Sequence, residues 1–109
     1  MAVSYKILGQ SAPSATTETA LYTVPAATET IVSTLTVTNR SATDATFRVS
    51  VAENGSATAN KDYVAYDLTC PGNGFLAFTL GMTLNASDVV RIYASSANLS
   101  FNLFGSEIA

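Results

Sequence analysis

Residues 30–39 run TIVSTLTVTN, and apolar or small side chains in this stretch alternate with threonine. Side chains that recur every second residue share one face of a β-strand. We expect one face to carry Ile31, Ser33, Leu35 and Val37, and the other to carry Thr34, Thr36 and Thr38. The stretch therefore predicts a half-buried strand.

The segment that follows repeats this pattern. Residues 45–53 alternate Phe47, Val49 and Val51 with polar side chains, and residues 40–44 form a short polar connection. Two alternating strands with a short connection between them are typical of a hairpin. We expect residues 30–53 to form one.

Similar short apolar segments continue to both ends of the chain, with Gly, Pro or Asn between several of them. The further predicted strands are 5–8, 20–24, 63–68, 76–82, 88–95 and 98–104, and the turn at 71–74 separates two of them. No segment of useful length has helical periodicity. The sequence therefore predicts an all-β protein in which residues 1–109 form a single β-sandwich, jelly-roll-like or Ig-like, of about eight short antiparallel strands.

The composition narrows the classes of partner. The 109 residues are 48% hydrophobic and 12% charged, with a net charge of -3. A chain of this length and composition can bury enough apolar surface to form one hydrophobic core. Its five basic residues are scattered, whereas nucleic-acid binding needs a clustered basic patch. The N-terminal sequence lacks the pattern of a signal peptide, and no apolar run reaches the roughly 20 residues that span a bilayer. We expect a protein made in a cytoplasm, with no nucleic-acid or membrane partner.

Residues that build reactive sites are scarce. Histidine is absent, which removes the commonest general base and metal ligand, and the single cysteine, Cys70, is expected to be buried or inert. Asp62 and Asp67 are the nearest pair of carboxylates, but their spacing places them on opposite strand faces, and we expect both to be solvated. The glycines do not form a phosphate-binding motif of the kind that holds a nucleotide. The sequence predicts no catalytic residue, no metal site and no cofactor, and hence no enzyme.

Two other groups of residues bear on binding. The five tyrosines are dispersed along the chain, so packing in the core or sheets is favoured over a sugar-stacking platform. Phe104 falls in register with the polar side chains of the last strand and is followed by Ile108. Apolar groups off the core face indicate a contact with a partner. The alternative is that the register breaks at Gly105 or that a loop covers the ring.

Several segments together resemble a known group of proteins. They are Leu21–Ala26, Val37–Arg40, Ala45–Val49, Leu80–Leu84, Asp88–Val90, Tyr93–Ser96 and Leu99–Ile108. This set, which extends over nearly the whole chain, resembles small virion structural proteins of tailed bacteriophages, including phages of cyanobacteria. The motifs are strand and turn signatures, so no functional residue is carried over.

The resemblance implies an accessory role on the virion exterior after assembly in the cytoplasm of a host bacterium. The protein would be a decoration or cement protein of the head, or a component of the tail or baseplate. Its partners would be other capsid or tail proteins and further copies of itself, such as a trimer. The alternative is a receptor-binding module of a tail fibre that recognises a host surface glycan through loops such as residues 54–62.

Overall fold

The computed structural model describes residues 2–109. Its longest strand contains the alternating residues 30–39. Nine strands follow one another along residues 2–109, and two short 3-10 turns, Glu53–Gly55 and Asn60–Asp62, lie between the fourth and the fifth. The strands are β1 Val3–Ser11, β2 Thr19–Thr23, β3 Glu29–Asn39, β4 Ala45–Ala52, β5 Tyr63–Cys70, β6 Phe75–Phe78, β7 Thr83–Leu84, β8 Val89–Ala94 and β9 Leu99–Ile108.

The strands form two antiparallel sheets. Sheet A has the order β1-β9-β3, with β6 and β7 both beside β3, and sheet B has the order β2-β8-β4-β5. Because β6 and β7 pair with different parts of the same neighbour, they act as two halves of one interrupted strand. The resulting eight-strand order, in which most successive strands change sheet, is that of a jelly roll. The predicted all-β sandwich is confirmed, and the strand order selects the jelly roll over the Ig-like arrangement.

The inner faces of the sheets supply the core. Its largest fully buried side chains come from both sheets: Phe47, Phe101, Leu35, Ile92, Leu99 and Leu103. The ring of Phe47 in sheet B meets Phe78 and Phe101 of sheet A, with centroid distances of 6.2 and 6.0 Å. Cys70 is also fully buried, as expected from the sequence, and burial raises the pKa of its thiol.

The predicted hairpin of residues 30–53 is wrong. β3 lies in sheet A and β4 in sheet B, so the connection crosses from one sheet to the other. The buried Asn39 side chain stabilises the connection between β3 and β4, because its amide donates hydrogen bonds to the carbonyl oxygens of Thr43 and Cys70. Strands that face one core from opposite sides have the same alternation as strands of a hairpin, and periodicity does not separate the two cases.

The prediction of which β3 side chains share a face is also partly wrong. Val32 pairs with Gly105 and Thr34 with Phe104, so Ser33 is an extra residue that forms a β-bulge. A bulge shifts the alternation by one residue. Val32 and Leu35 therefore both face the core, whereas Ile31 points to the outer face and is 45% exposed.

Candidate interaction surface

Apolar side chains gather on the outer face of sheet A. Directly opposed residues of antiparallel strands lie on the same face, and the pairs Val3 with Ile108 and Ile7 with Phe104 join β1 to β9 there. Tyr5 and Ile31 flank Ser106 of β9 from the two neighbouring strands. We call this set the apolar patch: Val3, Tyr5, Ile7, Ile31, Phe104 and Ile108.

The apolar patch is open to solvent on the strands beside β9. Tyr5 is 85% exposed and Ile7 is 53% exposed, whereas Phe104 and Ile108 are half-buried between their neighbours. A shallow depression of about 360 Å³ lies over Phe104 and is lined in part by Tyr5 and Ile31. Contiguous exposed apolar surface of this kind is typical of an interaction site.

The structure places both residues selected from the sequence, Phe104 and Ile108, in this patch. The register of β9 continues through Gly105, and the shifts occur instead in β1 and β3. The residues known to line the depression over the Phe104 ring all belong to β1, β3 or β9, so no loop among residues 2–109 covers it. The outward position of Phe104 follows from the alternation of β9 with its buried Leu103.

Sequence reasoning missed the other patch residues. Val3, Tyr5 and Ile7 alternate with Ser4 and Lys6, a signal that identifies a strand but equally well describes a core face. Only the pairing with β9 shows that these side chains point outwards.

A polar network lies on the inner side of sheet A at the level of the patch. The buried Glu107 carboxylate accepts a hydrogen bond from the Tyr22 hydroxyl and forms an ion pair with Lys6, and Tyr22 is also hydrogen-bonded to Thr30 at 2.7 Å. Lys6, and then Tyr22, hold the pKa of the Glu107 carboxyl below its ordinary value. Burial and the neighbouring carboxylate raise the pKa of Tyr22 to about 12. Because Tyr22 belongs to sheet B, the network joins the two sheets beneath the patch.

A second cluster lies on sheet B, where Tyr63, Tyr66 and Tyr93, which were expected to be dispersed, come together. The guanidinium carbon of Arg48 lies 4.3 Å from the ring centroid of Tyr66 and 4.7 Å from that of Tyr93. Tyr63 packs edge-on against Tyr66 with a centroid distance of 4.9 Å. Tyr66 is 57% exposed, so the cluster is a surface feature. Of the five tyrosines, Tyr22 alone is buried.

The strand geometry explains how the aromatic cluster forms. The pairing of β4 with β5 is irregular around Arg48, and Asp67 adopts a φ of 52° there. Bulges re-aim side chains, and Asp67 receives hydrogen bonds from Arg48 at 2.7 and 3.4 Å. This ion pair raises the pKa of Arg48 and holds the guanidinium between the rings.

The polar loop at residues 54–62, the sequence candidate for glycan recognition, is tied to the sandwich. Arg91 donates to the carbonyl oxygen of Ser56 at 2.7 Å and to the Thr58 hydroxyl at 3.0 Å. The expectation that Asp62 is a solvated charge is wrong, because its side chain is buried and accepts from the backbone N–H of Ala59 at 2.9 Å. That bond, and then Lys61, lower the pKa of Asp62. Asp62 therefore serves to shape the loop.

Within residues 2–109, no three acidic or cysteine side chains come together in a group that would hold a metal ion. No helix in this described part is long and apolar enough to cross a membrane. Two candidate surfaces stand out in this described part, the apolar patch on sheet A and the aromatic cluster on sheet B. Comparison with protein-family models, curated proteins and solved structures finds no match to this chain.

Proposed function

We propose that this protein is a non-enzymatic structural component of the exterior of a tailed-phage virion, a head decoration or cement protein or a part of the tail or baseplate. The observation that carries the proposal is the apolar patch, which offers a contact surface. The sequence resemblance supplies the virion as the place of that contact. The partners are other capsid or tail proteins.

The patch supports attachment by burial of apolar surface. Complete burial of one large aliphatic or aromatic side chain contributes about 1.5–3 kcal/mol. Apart from Tyr5, the patch side chains are already partly covered, so each of them contributes a fraction of this, and the patch as a whole supplies several kcal/mol. Lys6 is the charged residue among those that line the depression over Phe104, and its ion pair with Glu107 leaves little net charge to oppose apolar contact.

The proposal predicts that the chain stays on purified virions of the phage that encodes it. A wash in about 1 M salt shortens the Debye length to roughly 3 Å and removes weakly held ionic contaminants, but it does not weaken apolar contacts. We expect mass spectrometry to detect the chain after such a wash. Its absence from the washed particles would refute the proposal.

A variant tests the role of the patch. Ile31→Asp places a charge on the patch, and we expect it to lower the amount of chain retained on virions at least tenfold, the effect of about 1.4 kcal/mol. Val64→Asp is the matched control, because Val64 is a β-branched strand residue with 49% exposure but lies in sheet B. Equal retention of the two variants would exclude the patch as the attachment surface.

The aromatic cluster favours a second candidate function, a receptor-binding module that recognises a host surface glycan. Tyrosine rings combine an apolar face with a polar tip, and Arg48 and Asp67 add donors and acceptors for sugar hydroxyls. On this proposal the purified protein binds host cells and slows phage adsorption. Tyr66→Ala should abolish the effect, whereas Tyr5→Ala, on the other sheet, should not. Failure of the unaltered protein to bind host cells would rule this function out.

A further inference from the structure

The outer edge of β1 has free backbone hydrogen-bonding groups. β1 stands at the end of sheet A and, among the residues that the structure describes, pairs only with β9, and Val3 to Ile7 are all exposed. Ala2 and Ala109 exchange two backbone hydrogen bonds, of 2.7 and 2.9 Å. In an antiparallel pair, hydrogen-bonded and non-hydrogen-bonded residue pairs alternate. Ser4 and Lys6 therefore direct their backbone groups towards β9, and Val3, Tyr5 and Ile7 direct theirs away from it.

This edge has few of the features that prevent strand pairing. A row of unpaired backbone groups on a flat apolar edge is a template for another strand, and proteins usually block it with proline, a bulge or charge. Val3–Ile7 contains no proline, and the bulge of β1 comes only after Ile7. The single charge, Lys6, is held by Glu107 of its own chain.

We infer that two copies of this chain pair through antiparallel β1 strands, on a two-fold axis at Tyr5, to make one continuous sheet. The inference goes beyond the proposed function and replaces the expected trimer with a symmetric dimer. The edge sequence Val3-Ser4-Tyr5-Lys6-Ile7 has the same apolar and polar order in both directions. The axis at Tyr5 sets Val3 of one copy opposite Ile7 of the other, and Ser4 opposite Lys6.

Two other registers of the β1–β1 pair, with the two-fold axis at Lys6 or at Ser4, are less favourable. An axis at Lys6 would set the two ammonium groups side by side, and like charges directly opposed are unfavourable. An axis at Ser4 would leave Ile7 without a partner among the described residues. The axis at Tyr5 uses every outward backbone group of Val3, Tyr5 and Ile7, about six hydrogen bonds in all. It also joins the two apolar patches into one surface, because both lie on the same face of the joined sheet.

Solution mass and a proline variant test the dimer. We expect sedimentation equilibrium of the purified chain to approach twice the 11.3 kDa chain mass as the concentration rises. Tyr5→Pro should weaken association at least tenfold yet stay folded by circular dichroism, because the Tyr5 N–H has no partner within residues 2–109 and proline is tolerated on such an edge. Phe75→Ser is the control, because Phe75 is an exposed aromatic residue of β6 at the opposite edge of sheet A, and this variant should dimerise normally.

Cysteine cross-linking tests the register even if Tyr5→Pro fails to fold. Only Tyr5 meets its own copy on the axis, and opposed Cα atoms of a hydrogen-bonded pair are about 5.5 Å apart, within disulfide range. Mild oxidation should therefore convert Tyr5→Cys, but not Ser4→Cys, to a covalent dimer, and Cys70 is buried and does not interfere. A chain of 11.3 kDa at every concentration, a mass of three chains, a dimeric Tyr5→Pro variant or equal cross-linking of both cysteine variants would each overturn the inference.

Discussion

Phe47→Ala should lower the free energy of unfolding by about 3–5 kcal/mol, the usual cost of removing a buried phenylalanine ring. Phe47 is fully buried and is the sheet B side chain that meets both Phe78 and Phe101 of sheet A. Its loss would leave a cavity between the sheets that the β-ladders prevent from closing. Urea denaturation of the purified protein measures this cost.

Phe75→Ala is the matched control for the core variant. Phe75 lies in β6 of the same sandwich but is 67% exposed, so its truncation should change the free energy of unfolding by no more than about 0.5 kcal/mol. A cost below about 1 kcal/mol for Phe47→Ala would contradict the packing of the two sheets around this ring.

Gly105→Ala should destabilise the protein by about 1–3 kcal/mol or more, as expected for overpacking at a rigid site. A Cβ at this position would lie 2.2 Å from the carbonyl oxygen of Ile31 and 3.0 Å from the Cα of Val32. Both are backbone atoms of the β3 bulge region, so β3 itself must move. Because the bulge turns Ile31 outwards, we also expect the variant to disturb the apolar patch, with faster hydrogen exchange at Val32 and Ile31.

Gly81→Ala provides the comparison for this second variant. Gly81 has a φ of +60° and nothing within 4 Å of the added Cβ, so its substitution costs only the left-handed conformation, about 1–2 kcal/mol, with no change at β3. If Gly105→Ala left both stability and hydrogen exchange of β3 unaltered, the close approach of β3 and β9 at this position would be wrong.

The two candidate surfaces can be tested in one chain. The apolar patch lies on the outer face of sheet A and the aromatic cluster on sheet B, with the core between them. Substitutions at such distant sites have nearly additive effects. A variant that combines Ile31→Asp with Tyr66→Ala therefore reports attachment and glycan recognition independently.

The polar network beneath the patch illustrates what sequence reasoning overlooks. Tyr22 and Glu107 are 85 positions apart along the chain, yet they form a buried hydrogen bond between the sheets. The alternation of side chains in β2 and β9 assigns each residue to one of two faces, but it does not tell which face is turned towards the core. Tyr22 and Glu107 can be identified as inward-facing only when the core face of each strand is known. Likewise, Arg48, Tyr66 and Tyr93 come from three strands that only sheet pairing brings side by side.

Periodicity by itself determined the fold class of this protein, most of its strands and the outward position of Phe104, because a spacing of two is a local property of extended backbone. Tertiary structure alone decided the assignment of β3 and β4 to different sheets, the outward turn of Ile31 at the Ser33 bulge and the gathering of β1, β3 and β9 side chains into one patch. These features depend on which strands exchange hydrogen bonds and in which register. That choice is set by packing between residues far apart in the sequence, and a one-residue shift reverses the face on which every following side chain lies.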